Sequence, residues 1–101
     1  MASRLELQTL LEGLLGSRNV YFQPPEKTVL KYPAIVYLRD RIENTHADDD
    51  VYMQSLAYQV TVIDANPDSE IPMKVSRLPR CRHDRHFKSE NLNHDVFTLY
   101  F

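Results

Sequence analysis

Glycine is scarce in this sequence, with only two glycines among 101 residues. Phosphate-binding loops and dinucleotide fingerprints need several glycines at fixed spacings, because the backbone must approach the phosphates closely. The chain also contains no glycine-rich segment that would form an oxyanion loop for a nucleophilic enzyme. The sequence therefore disfavours nucleotide-binding folds and hydrolases that depend on such loops.

Cysteine and long apolar runs are also missing. The single cysteine, Cys81, excludes an internal disulfide and fits a protein that is made in a reducing compartment. No apolar run approaches the roughly 20 residues of a membrane-spanning helix. Glu6 and Glu12 interrupt the apolar residues near the N-terminus, which favours a helix of the fold over a secretory signal. The formal net charge of -2 requires neither a nucleic-acid nor a membrane partner.

What remains is the composition of an ordinary folded domain. Hydrophobic residues make up 43% of the chain, charged residues 26% and aromatic residues 10%. These values are close to the averages of globular proteins, and a chain of this length can bury one core without disulfides or metals. We therefore expect a single domain over residues 1–101.

The N-terminal segment predicts an amphipathic helix over about residues 3–16. Ser3 and Glu6 have the spacing of a capping box, and Gly16 is suited to end the helix. The leucines recur at helical intervals and predict one apolar stripe, formed by Leu7, Leu10, Leu11, Leu14 and Leu15.

Most of the remaining chain predicts strands. Strand-like segments occur at 20–22, in the second half of 29–39, and at 52–64, 81–87 and 95–101. Segment 52–64 alternates most clearly, and its length predicts that one end projects beyond the sheet. In the last segment both faces are largely apolar, which indicates a well-covered strand or a face covered by a partner. The polar stretch at about 40–50 predicts an exposed loop, and residues 88–94 predict a connection.

Between the strands, residues 65–68 form a turn signal. A short helix is expected to follow it, capped by Asn66 or Ser69 and ended by Pro79. The order of elements predicts an α+β domain. In it, an N-terminal helix and a short second helix pack on a mainly antiparallel sheet of about four to five strands.

The densest group of chemically active side chains lies at residues 81–86, with His94 nearby in sequence. Cysteine, histidine and aspartate are ligands that zinc accepts. Strict alternation along a strand, however, places Cys81 and His83 on one face and Asp84 and His86 on the other. A polar, hydrogen-bonded strand is therefore favoured over a metal site, and a Cys–His–Asp nucleophile cannot converge. We predict no enzymatic activity, no catalytic or metal-ligating residues and no cofactor.

Two oppositely charged segments flank this group. The basic segment could bind phosphates, but the alternation of a strand divides its residues between two faces. Charged residues also occur on edge strands because they prevent pairing with the edges of other sheets. Its residues are Arg77, Arg80, Arg82, Arg85 and Lys88. Asp48, Asp49 and Asp50 lack the alternate spacing of a calcium loop. In a ring of identical subunits, the acidic loop of one copy would meet the basic edge of the next.

Several stretches resemble the small neck proteins of long-tailed bacteriophages and prophages. This family is described as tail completion, tail terminator, head–tail joining or minor capsid proteins. The resemblance is carried mainly by residues 52–101, in Tyr-Gln-Val-Thr-Val-Ile-Asp at 58–64, Asn-Pro-Asp-Ser-Glu-Ile at 66–71, Asp-Arg-His-Phe at 84–87 and Asn-Leu-Asn-His at 91–94. A tyrosine–proline entry into a strand at 31–37 also fits, whereas the first 28 residues match only as one helix.

The resemblance implies an α+β protomer in a ring of six copies at the junction of head and tail. One face would contact the tail tube protein and the other the head–tail connector, with DNA passing through the lumen and no membrane involved. The protein would assemble in the host cytoplasm and reside in the virion. The candidate contact residues are Arg41, Asp48, Asp49, Asp50, Tyr52, Met53, Arg80, Arg82, Arg85 and Lys88.

Two alternatives remain at this point. The first is a small nucleic-acid-binding module that uses the basic segment at 77–88. The second is a metal-binding domain that uses Cys81, His83 and His94.

Overall fold

The described residues form one five-stranded sheet with two helices. The computed structural model describes residues 4–47 and 50–101, and gives 43–47 and 50–55 as backbone. In chain order the elements are α1 (Arg4–Leu15), β1 (Val20–Phe22), β2 (Ala34–Ala47), β3 (Asp50–Asp64), α2 (Ile71–Ser76), β4 (Cys81–Ser89) and β5 (Leu92–Tyr100). The strands lie in the order β1-β2-β3-β5-β4. Strand β1 runs parallel to β2 and the other described pairs are antiparallel, which confirms the predicted α+β class.

Helix α1 packs on the sheet through a narrower stripe than the sequence predicted. Leu7 and Leu11 are fully buried, and Leu14 and Leu15 pack partly against the same core. Leu10 is 36% exposed, so including it in the stripe was wrong. It lies about 100° around the helix from Leu11, on the flank that the sheet does not reach.

The core lies between the helices and one face of the sheet, the helical face. Alternate residues of β2, β3 and β5 supply its floor, and α2 contributes a single fully buried residue, Val75. The buried side chains of the floor are Ile35, Tyr37, Tyr58, Val60, Val62, Phe97 and Leu99.

A buried tyrosine joins α1 to the sheet through polar contacts. Arg4 Nη1 donates to the Tyr37 hydroxyl at 3.1 Å, and that hydroxyl donates to Gln8 Oε1. Gln8 Nε2 in turn donates to the backbone oxygen of Val20 at 3.0 Å. Burial raises the pKa of Tyr37 above its usual value, although the nearby Arg4 opposes the shift. These bonds fix the position of α1 over the sheet more specifically than leucine burial alone.

The predicted loop at 40–50 is wrong over most of its length, because β2 continues to Ala47 and β3 begins at Asp50. Paired residues include Glu43 with Ser55 and Ala47 with Asp50. Polar side chains without a period do not exclude a strand, since the backbone bonds of a ladder do not depend on side-chain polarity. Residues 48 and 49 lie outside the described residues.

The projecting end expected for the long strand is confirmed. Strand β3 pairs with β5 only from Ala57, opposite Tyr100, so the ladder beyond that point has two strands. We call residues 42–47 and 50–55 the arm. The chain measures 51 × 23 × 23 Å along its principal axes, which reflects this extension.

Two smaller expectations are corrected. The N-cap of α2 is Glu70, which makes no side-chain capping bond, although the Ser69 hydroxyl accepts from the Ile71 N–H at 3.3 Å. The connection between the last two strands is shorter than 88–94. Its turn consists of Glu90 and Asn91 with φ values of 53° and 65°. Two successive left-handed residues match the twist of a tight antiparallel hairpin, so both strands extend to the turn.

Neither described helix is long and apolar enough to span a membrane.

We predict that Tyr37→Phe lowers the free energy of unfolding by about 1 kcal/mol, because it removes the hydroxyl that Arg4 and Gln8 bind. The measurement is urea denaturation followed by circular dichroism. Tyr32→Phe is the matched control, since Tyr32 is 44% exposed and should change stability by less than about 0.5 kcal/mol. Equal effects of the two substitutions would contradict the proposed role of the buried hydroxyl.

Candidate functional site

Strand β4 forms one edge of the sheet, and from Arg82 to Ser89 all its residues are exposed. Its register shifts between His83 and Arg85, because His83 pairs with Phe97 whereas Arg85 pairs with the adjacent Val96. A bulged residue, Asp84, therefore reverses the alternation of the strand. The predicted faces are wrong from this point on. Arg85 lies on the face opposite Cys81, and His86 joins Cys81 and His83 on the helical face.

The bulge brings two histidines onto one carboxylate. His83 Nε2 lies 3.1 Å from Asp95 Oδ1, and His86 Nδ1 lies 2.9 Å from the same oxygen. The two imidazoles are about half exposed, whereas the Asp95 side chain is 14% exposed. Strict alternation along a strand separates His83 from His86, so the sequence pattern did not predict this group.

The metal alternative of Cys81, His83 and His94 is not assembled in the fold. His94 pairs with Phe87 on the opposite face, where the two rings stack at 4.7 Å between centroids. Within residues 4–47 and 50–101, no group of three histidine, cysteine or acidic side chains is arranged to hold a metal ion.

Cys81 has the environment of an inert thiol. It is partly buried where β4 begins, opposite Leu99, and packs against the core. Burial raises the pKa of the Cys81 thiol above its usual value, and the Asp84 carboxylate raises it further. A reactive cysteine needs the reverse, a pKa lowered by a base or a cation.

Asp84 belongs to the face of the sheet opposite the helices, which we call the open face. The Thr98 hydroxyl donates to Asp84 Oδ2 at 2.6 Å, and Arg82 Nε donates to Oδ1 at 2.9 Å. The bond from Thr98, followed by the contribution of Arg82, holds the pKa of this carboxyl below its usual value. Thr98 is 7% exposed, so Asp84 covers and satisfies a buried hydroxyl of β5.

The basic residues predicted as a patch are divided among different partners. Arg82 binds Asp84, and Arg80 lies 5.3 Å from the centre of the Tyr100 ring. Arg85 lies over the Phe87 ring at 5.5 Å and makes no hydrogen bond or ion pair within the described part of the chain. Lys88 lies on the helical face of β4, and Arg77 lies at the C-terminal end of α2.

The other predicted contact residues lie along the arm or at its base. Arg41 donates to the Tyr100 hydroxyl at 2.7 Å and forms an ion pair with Asp40 at 3.0 Å. Asp50, Tyr52 and Met53 belong to β3, where Asp50 pairs with Ala47 and Met53 with Thr45, and Tyr52 lies at a register shift. Asp48 and Asp49 lie outside the described residues.

A groove of about 380 Å³ runs along the open face. Its floor is the sheet itself, and the segment after β1 and the end of β4 form two walls. The floor is formed by Val36, Thr61, Ile63 and Val96, one wall by Pro24, Pro25 and Leu30, and the other by Arg85, Phe87 and His94. Grooves of this volume with apolar walls and a few polar groups are suited to binding a small ligand or a short segment of a protein.

The groove explains the apolar residues that the sequence analysis found on both faces of β5. Phe97 and Leu99 belong to the helical core, whereas Val96 lines the groove and is only 5% exposed. The sequence therefore predicted apolar residues on both faces of β5 and left open whether a partner covers one of them. The concave shape was not predicted, because the segment at 24–30 that forms a wall has no sequence signal for its position.

Comparisons of this chain with protein-family models, with curated proteins and with solved structures found no match.

We predict that the Cys81 thiol reacts with iodoacetamide at pH 7 roughly tenfold more slowly than a cysteine in an unstructured peptide. The raised pKa and the burial both reduce the accessible thiolate. Mass spectrometry measures the rate, and unfolding in urea should restore it. His83→Ala should leave the rate unchanged, whereas a large fall would reveal a Cys–His pair.

We predict that Thr98→Val destabilises the protein by about 1–2 kcal/mol at neutral pH. The folded-state pKa of Asp84 is lowered, so its contribution is fully present above the unfolded value of about 3.9 and is lost as pH falls. The difference between variant and parent should therefore shrink below about pH 4 in chemical denaturation. Thr9→Val, which removes a hydroxyl bonded to a backbone oxygen, should show a difference independent of pH.

Proposed function

We propose that this chain is a structural protein of the bacteriophage neck. In this proposal it forms a ring that caps the tail tube, joins the tail to the head, or does both. The observation that carries the proposal is the arm, a two-stranded extension that leaves the sheet beyond the pair Ala57 and Tyr100.

An arm of this kind favours assembly over an independent monomer. Isolated two-stranded hairpins are marginally stable in water, because they bury little apolar surface. The arm has no third strand among the described residues. Covering by another subunit would stabilise the hairpin and would also give assembly its specificity.

Charge supports contact between identical copies. Residues 42–56 contain Glu43 and the three aspartates at 48–50, with no lysine or arginine. Strand β4 and the residue before it contain four basic residues and one acidic residue, Asp84. The basic residues are Arg80, Arg82, Arg85 and Lys88. Opposite charges on two different surfaces of one chain favour a heterologous contact, which closes into a ring when the rotation between copies permits.

The resemblance to phage neck proteins supports the ring of six and its neighbours, the tail tube protein and the head–tail connector. Under this proposal DNA passes through the lumen, and the chain performs no catalysis and holds no cofactor. The nucleic-acid-binding alternative has less support, because the basic residues are divided between two faces and Arg82 is paired with Asp84.

Deletion of the gene from its parent phage tests the proposal directly. Electron microscopy of the lysate should show overlong tails if the protein terminates the tail tube. It should show normal tails separate from DNA-filled heads if the protein joins the two. Intact, infectious particles from the deletion strain would disprove a neck function.

Charge reversal tests the role of the arm in assembly. We predict that a variant with lysine at Asp48, Asp49 and Asp50 fails to form rings, whereas the parent chain forms them in the presence of tail tubes. A matched variant carries lysine at Asp68, Glu70 and Glu90, which are exposed acidic positions away from the arm. Ring formation is scored by negative-stain electron microscopy, and equal assembly of both variants would rule out an electrostatic role for the arm.

A further inference from the structure

We propose that the groove on the open face is the receptor for the arm of an adjacent copy. The inference rests on the proposed function, since it assigns the surface that receives the arm in the ring. This proposal is more specific than a contact anywhere along the β4 edge, because it predicts one defined site with an apolar floor.

The groove has the properties of an unfilled interface. In its floor Ile63 and Val96 are only 7% and 5% exposed, so the apolar surface that remains in water is mainly that of Phe87 in the wall, which is 39% exposed. Covering this ring with apolar groups would stabilise an assembly. A groove of about 380 Å³ admits a few side chains, so only side chains near the tip of an arm would enter it.

The groove lining carries one guanidinium, Arg85, and one carboxylate, Glu26. The Arg85 guanidinium lies at the wall over Phe87 and has no hydrogen bond or ion pair within residues 4–47 and 50–101, so it is available to a carboxylate of the occupant. The nearby Arg82, in contrast, is paired with Asp84. An occupant that combines apolar side chains with a carboxylate would use both the floor and this guanidinium.

The arm has the composition that these features require. Residues 50–53 read Asp-Val-Tyr-Met, which joins a carboxylate to three apolar or aromatic side chains. Residues 42–56 contain four acidic residues and no lysine or arginine, so no cation of the arm would face Arg85. The composition therefore matches both the floor and the wall of the groove.

The positions of the two features exclude contact within one chain. The arm leaves the sheet beyond Ala57, whereas the groove surrounds Thr61 and Ile63, toward the other end of β3. Six residues of strand separate Ala57 from Ile63, which corresponds to about 20 Å. Because the arm extends away from the groove, only another copy can bring the two together. A contact between opposite ends of identical chains is heterologous and therefore generates a ring or a filament.

Cross-linking between copies tests this placement. In a Cys81→Ser background, Val51→Cys on the arm and Glu26→Cys on the groove wall are joined with a short bismaleimide. We expect a ladder of oligomers from the double variant, and dimers as the largest product when the two single-cysteine chains are mixed. Arg77→Cys combined with Val51→Cys is the control, because Arg77 lies on the helical side, and it should give no ladder.

A charge substitution tests the same contact without cross-linking. Arg85→Glu should raise the concentration needed for half-maximal assembly by about tenfold, since it sets like charges against each other. Arg77→Glu is the matched control: it makes the same change of charge at a residue outside the groove and should leave assembly unchanged. Analytical ultracentrifugation measures assembly, and circular dichroism confirms that both variants fold.

The outcomes separate this inference from the proposed function. Rings that form normally with Arg85→Glu and give no arm-to-groove cross-link would overturn the groove inference and leave the neck function standing. Normal rings that no longer attach to tail tubes would show that the groove receives a segment of a tail protein, which also overturns the inference. Failure of the parent chain to self-associate, together with infectious particles from the deletion strain, would overturn both.

Discussion

The antiparallel ladder between β2 and β3 is the feature on which the other parts of this structure depend. Its inner half, around Tyr37 and Val60, forms the floor of the core and receives α1. Its outer half continues beyond the last partner on β5 and becomes the arm. One pair of strands therefore joins the stabilising part of the chain to the part that we assign to assembly. This connection sets the direction in which the arm leaves the core.

The stability of the two halves has different sources. The inner half buries large side chains against α1, and the Tyr37 hydroxyl adds bonds to Arg4 and Gln8. The outer half has its ladder bonds but no third strand among the described residues. Backbone bonds alone contribute little net free energy, because water competes for the same groups. In the ring that we propose, the open-face groove of a neighbouring subunit would bury part of this outer half.

Bulges decide which side chains meet at the two ends of the sheet. The bulge at Asp84 moves His86 to the helical face beside His83 and Asp95, and it moves Arg85 to the groove. A second register shift, between Arg39 and Arg41, brings Arg41 to the face where it contacts Tyr100. Each bulge adds one unpaired residue, so every side chain beyond it changes face. The electrostatic character of the open face is therefore a consequence of two local irregularities.

The amino-acid sequence by itself determined the α+β class, the helix around Leu7 and Leu11, and the long strand ending at Asp64, because periodic burial leaves a periodic pattern. Only the tertiary structure decided that residues 40–47 continue a strand, since this polar stretch has no apolar period. It also decided the faces of Arg85 and His86 and the position of the wall at Pro24 and Leu30. Bulges and irregular segments are set by the packing of distant residues, and such packing leaves no local signal in the chain.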